Sequence, residues 1–118
     1  MTNALKIIEA LGRHEDEAAI DVLKDVGTNS SRDDVREATA KALAMRNNEK
    51  SLRILVADKG KGINDLSTKV ALSTVNLLLD LQDKETLLQV LGDTINSNCE
   101  EEIRNTARSL RALINLSD

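Results

Sequence analysis

The sequence predicts an all-α chain, a right-handed α-solenoid of antiparallel helix pairs, and three observations lead there. A register of about 32 to 35 residues recurs: Ala10-Leu11-Gly12, Asp16-Glu17, Ile20 and Leu23 return as Ala42-Leu43-Ala44, Asn48-Glu49, Leu52 and Leu55. They return again as Leu77-Leu78-Leu79, Asp83-Lys84, Leu87 and Val90. A fixed period in this range is the mark of stacked repeats, and each copy reads as the end of one helix, a tight polar turn and the start of the next. Proline, phenylalanine, tryptophan and tyrosine are all absent from the 118 residues, so the core has to be built from leucine, isoleucine, valine and alanine. Small and branched side chains of that kind interdigitate well between helices.

Seven helices follow in order. The first covers 2–12, with Leu5, Ile8 and Leu11 as its apolar positions, and the second covers 16–27 with Ile20 and Leu23. The third, 32–46, has Ser31 placed to cap it and Asp33 and Asp34 suited to its positive N-terminal dipole. Its Val35, Ala38, Ala42 and Leu43 fall on one face at helical spacing. The fourth covers 48–58, and Lys59-Gly60-Lys61-Gly62 reads as a linker. In the fifth, 64–81, and the sixth, 83–96, apolar residues from Val70 to Leu81 and from Leu87 to Ile95 surround much of each helix. A helix apolar on most sides is buried between neighbours, so this pair is expected as the central layer, with the third and fourth helices on one side and the seventh, 99–116, on the other.

Composition bounds the functional classes. One domain spanning 1–118 is expected, large enough to bury roughly two thirds of its unfolded surface without metal or disulfide. The lone Cys99 excludes an internal disulfide framework and fits a reducing compartment. Asn3, Lys6 and Glu9 interrupt any signal-peptide core, and no apolar run approaches the 18 or so residues of a membrane span. The expectation is a cytoplasmic protein with no membrane partner.

The stretches Asp34-Val35-Arg36-Glu37-Ala38-Thr39-Ala40-Lys41-Ala42-Leu43 and Glu102-Ile103-Arg104-Asn105-Thr106-Ala107 resemble HEAT repeats, as does Ala10-Leu11-Gly12-Arg13 ahead of Asp16-Glu17-Ala18-Ala19-Ile20. The flavour is the short bacterial type first associated with phycobilisome lyases. The resemblance spans nearly the whole chain as three helix pairs and a half repeat, and it rests on packing positions, which speak for fold and poorly for function. Two departures stand out: the third copy has Lys69-Val70-Ala71 in place of the Val-Arg pair, and the family's proline before each second helix is missing throughout. The resemblance implies that the second helices line a concave face, with Asp21, Lys24, Asp25, Lys50, Arg53, Gln89 and Asp93 pointing outward.

Charge is unevenly laid out on this frame. Residues 1–31 hold three bases and six acids, 32–63 eight and five, 64–98 two and five, and 99–118 three and four. One basic repeat between two acidic ones suits a partner with matching bands, while the plainer reading is a mixed, solvated surface. Arg104, Arg108 and Arg111, at i, i+4 and i+7, form a basic stripe on the last helix. Glu100 and Glu101 can neutralise Arg104, and no acid lies one turn ahead of the other two. The stripe serves either as a contact strip for carboxylates or phosphates, or as cross-helix ion pairs shielding the end of the core.

No catalytic constellation emerges, and no cofactor or metal is expected. His14 is the only histidine, so the paired His-Glu sites of di-iron HEAT proteins cannot form within one chain. Glu100, Glu101 and Glu102 oppose a thiolate at Cys99. Lys59-Gly60-Lys61-Gly62 lacks the spacing of a phosphate-binding loop. Nucleic acid is a poor fit to a net charge of −4 and no aromatic ring for base stacking. The favoured function is a non-catalytic scaffold that binds another protein, with an acidic surface, through Arg36, Lys50, Arg53, Gln89, Arg104, Arg108 and Arg111. The alternatives are a subunit of a chromophore (bilin) lyase-like assembly, implied by the resemblance, and a self-associating structural protein, a homodimer through Leu5, Ile8 and Leu11 or Leu110, Leu113, Ile114 and Leu116.

Overall fold

In the computed structural model, residues 2–27, 29–57 and 67–117 are described, and all of their regular structure is helical. The seven helices are α1 (Thr2–Arg13), α2 (Ala18–Gly27), α3 (Asp33–Arg46), α4 (Glu49–Ala57), α5 (Thr68–Leu79), α6 (Glu85–Ile95) and α7 (Glu101–Ser117). Each matches one of the seven predicted segments to within a few residues. The expected linker at 59–62 and the predicted start of the fifth helix at 64 lie outside the described residues. The radius of gyration is 13.4 Å, close to the value of about 13.5 Å for a compact domain of this length.

The odd-numbered helices pack in series, α1 on α3, α3 on α5 and α5 on α7, and the even ones likewise, α2 on α4 and α4 on α6. Cross-links run between the two rows from α1 to α2, α2 to α3, α3 to α4 and α6 to α7, and α7 also reaches α4. The repeat register is written in the burial. Ile8, Leu43 and Leu78 are fully buried at a spacing of 35 residues, and Ile20, Leu52 and Leu87 are fully buried at the turn-following positions of the even row. Val35, Val70 and Ile103 mark the same inner face of α3, α5 and α7. One turn on from each valine, Thr39 and Thr74 donate their hydroxyls to the carbonyls of Val35 and Val70, both at 2.8 Å, so these buried polar groups are satisfied within their own helices.

The central position is held by α3 and α4, not by α5 and α6 as expected. Six of the fourteen residues of α3 and five of the nine of α4 are buried, against three of twelve in α5, whose Leu72 is 62% exposed. The reason is steric. Alanine and glycine let α3 approach its neighbours on several sides: a Cβ added at Gly12 would stand 2.9 Å from the Cβ of Ala42, and one at Gly27 would overlap the Thr39 side chain at 1.8 Å. Close approach gathers neighbours around the small helix, whereas the leucines of α5 are half covered.

Local capping differs from the sequence reading at two ends. Arg32, not Ser31, is the N-cap of α3, and it makes no side-chain cap; Asp34 accepts from the Val35 amide at 2.8 Å and pairs with Arg32 instead. Cys99 precedes α7, and its half-buried thiol donates to the Thr94 carbonyl at 3.5 Å. At α4, Asn48 and Ser51 cap reciprocally, with Ser51 N–H to Asn48 Oδ1 at 2.9 Å and Asn48 N–H to Ser51 Oγ at 3.2 Å.

The turns are tied together by two residues at the end of α3. The Arg46 guanidinium donates to the carbonyls of Leu11 at 3.0 Å, in the last turn of α1, and of His14 at 2.5 Å and Asp16 at 3.2 Å in the α1–α2 turn. Asn47, in the left-handed conformation at φ 46° that asparagine tolerates, donates its Nδ2 to the Asp83 carbonyl at 2.9 Å in the α5–α6 turn. Arg46→Ala is expected to cost about 1.5–3 kcal/mol, because several charge-assisted hydrogen bonds are lost together. Thermal unfolding of that variant, with Arg46→Lys as a point-charge control unable to span three carbonyls, measures it. Leu78→Ala, which empties a fully buried site, is expected to cost about 2–5 kcal/mol, whereas Arg53→Ala on the surface leaves the denaturant midpoint nearly unchanged.

Candidate functional site

A shallow cleft of about 730 Å³ lies between α2 and α4, lined by Glu17, Asp21, Lys24, Glu49, Lys50 and Arg53 together with Ile54 and Ala57. Helical spacing puts them there: while Ile20, Leu23, Leu52 and Leu55 turn into the core, the residues next to them turn outward. Lys50 crosses the cleft to Asp21 at 3.0 Å, and Arg53 pairs along α4 with Glu49. The cleft thus presents neighbouring charges of opposite sign with little net charge. Glu17 has no ion-pair partner among the described residues.

Of the seven predicted contact residues, the structure gathers Lys50 and Arg53 in this cleft. Gln89 is exposed on α6 outside it, and Arg36 is half-buried on α3 in the other row. The three arginines of α7 lie elsewhere and do not act as one free stripe. Arg104 pairs with Glu101 and donates to the Ser97 carbonyl at 3.2 Å. Arg108, for which no acid lies one turn ahead, reaches two turns back to Glu101 at 3.5 Å and also donates to Asn105 Oδ1 at 2.8 Å. A long side chain spans that rise, which a one-turn rule misses. Arg111 is exposed and has no ion-pair partner among the described residues.

A second cleft, about 430 Å³, lies between α1 and α3 over Leu5, Gly12, Ala38, Ala42 and the 63% exposed Met45. Its rim acids are already neutralised, Glu9 by Arg13 at 2.7 Å and Asp34 by Arg32. Among the described residues no set of three or more His, Cys, Asp or Glu is arranged to hold a metal, and no helix is long and apolar enough to cross a membrane. His14 is exposed in the α1–α2 turn, where its Nδ1 accepts from the Asp16 amide at 3.1 Å.

No family model, curated protein or solved structure matches the chain.

The titration of that surface is local. The hydrogen bond from Arg104 holds the Glu101 carboxyl below the ordinary carboxylate range and raises Arg104 in turn, and the hydrogen bond from Arg32 lowers Asp34 in the same way. A depressed carboxylate stabilises the fold above its unfolded pKa, and that contribution disappears as pH falls through the lower folded value. Both acids are fully exposed, so the effect is small and screened by salt. Glu101→Gln is expected to lower the thermal midpoint slightly at pH 7. The difference from wild type should shrink as pH falls from the ordinary carboxylate range through Glu101's lower folded value, and should vanish in roughly 1 M salt.

Proposed function

We propose that this chain is a HEAT-like α-solenoid of three helix pairs and a half repeat that serves as a non-catalytic scaffold, binding another protein along the even-numbered row. The cleft between α2 and α4, where Lys50 and Arg53 stand opposite Asp21 and Lys24, carries the reading. The serial packing of odd helices on odd and even on even, with fully buried residues at a spacing of 35, supports the solenoid arrangement. Because Lys50 and Arg53 already face Asp21 and Glu49, the groove fits a partner segment of alternating charge better than a uniformly acidic one.

With no tryptophan or tyrosine, arginine is the common hot-spot residue that remains, so recognition leans on charge. Lys50→Glu with Arg53→Glu is expected to weaken a partner's binding by roughly tenfold or more, about 1.4 kcal/mol, with helicity intact. Titration calorimetry against the isolated partner at several salt concentrations measures this. An affinity indifferent to both salt and the reversals would exclude the cleft.

A further inference from the structure

The cleft between α1 and α3 has both of its walls on helices that pack directly on each other, and its volume of about 430 Å³ falls in the range of small-molecule sites, roughly 300–1,000 Å³. Its lining is sorted by depth. Ala42 is buried and Leu5, Gly12 and Ala38 are half-buried, while Met45 and the charged Glu9, Arg13, Asp34 and Lys41 are exposed. An apolar interior under a charged edge suits a ligand that is itself apolar with one charged end.

The sign of that end follows from which charges are already engaged. Glu9 is held by Arg13 at 2.7 Å and Asp34 by Arg32, so both carboxylates and both guanidinium groups are paired. Lys41 remains. Glu37 stands one turn ahead of it on α3, in the favourable i, i+4 order, but Glu37 pairs with Lys69 of α5 at 3.7 Å. Lys41 therefore has no ion-pair partner among the described residues. With Arg32 counted, three bases stand against two acids, Glu9 and Asp34, and the surplus charge is the Lys41 ammonium. The cleft is complementary to a single negative charge.

The rest of the ligand follows from the lining. The chain holds no aromatic residue, so no ring is present on which a planar ligand could stack. The apolar lining is aliphatic, and at its exposed edge Met45 is unbranched and flexible, a side chain that adapts to a neighbouring alkyl chain. From Asp34 to Met45 the α3 wall runs about 16 Å at roughly 1.5 Å per residue, which gives the cleft the length of an extended chain.

We propose that this cleft binds a single-chain, medium-length aliphatic carboxylate, its tail against Leu5, Ala38 and Ala42 and its carboxylate on the Lys41 ammonium. The site is independent of the cleft between α2 and α4.

Isothermal titration calorimetry of the full chain with decanoate, hexanoate and decyltrimethylammonium, all below their micelle-forming concentrations, tests it. Decanoate is expected to saturate at one molecule per chain. Hexanoate is expected to bind more weakly by roughly fourfold for each methylene lost. Decyltrimethylammonium, with the same tail and the opposite head, is expected to bind roughly tenfold more weakly or worse. Lys41→Glu, an exposed change, should reverse the preference between the two ten-carbon heads with helicity intact by circular dichroism. Arg111→Glu alters the net charge equally but lies on α7, and it should bind decanoate as wild type does. Decanoate that never saturates, hexanoate that binds as tightly as decanoate, opposite heads that bind alike, or Lys41→Glu and Arg111→Glu that act alike overturns the proposal. The comparison of ligands on wild type decides even if a variant loses helicity.

Discussion

Three backbone carbonyls, one at the end of α1 and two in the turn after it, converge on one guanidinium, which ties the first helix pair to the end of α3. Carbonyls at a helix C-terminus and in the turn beyond it have no intrahelical donor, and they tend to point the same way. Arg46 presents a rigid planar fork of donors to those of Leu11, His14 and Asp16. It does so from the last turn of α3, where a cation also complements that helix's own dipole. Asn47 extends the same strip to Asp83, so a short run of sequence ties three turns into register. With turns aligned, the helices on either side fall into two rows.

Within those rows, closeness is governed by what is missing from side chains. Gly12 faces Ala42, and Gly27 lies against Thr39 with no room for a methyl group. Helices that approach so closely surround α3, which becomes the hub although its composition is less apolar than that of α5. The buried threonines and Ser51 fit this interior because each hydroxyl bonds a carbonyl three or four residues back in the chain.

The surface is built on a different principle: charges are settled locally before any partner arrives. Arg13 with Glu9, Arg32 with Asp34, Arg53 with Glu49 and Arg104 with Glu101 are all short-range pairs, and Lys50 with Asp21 crosses a single groove. Counting charges by repeat therefore overstates the basic character of the second helix pair. What is left outward among the described residues is a cleft of alternating sign and single exposed apolar side chains spread over α1, α2, α3, α5 and α7.

The number and order of the helices were legible in the sequence, because amphipathic spacing and polar turns are local properties and a register of about 32 to 35 residues shows them three times. Leu43 and Leu78 were legible as equivalent core positions, but the sequence register set Leu11 beside them, whereas in α1 it is Ile8, one turn earlier, that is fully buried and Leu11 is half-buried. Hub and periphery were not legible: burial depends on how many neighbours a helix has, and the apolar sides of α5 and α6 suggested a centre that the packing gives to alanine-rich α3 and its partner α4. The staple by Arg46 was hidden as well, although Arg46-Asn47-Asn48 breaks the apolar register where a cap belongs; its acceptors lie 30 to 35 residues away. Periodicity along the chain specifies which side of a helix is apolar, and only the distances of closest approach between helices decide which of those sides is covered.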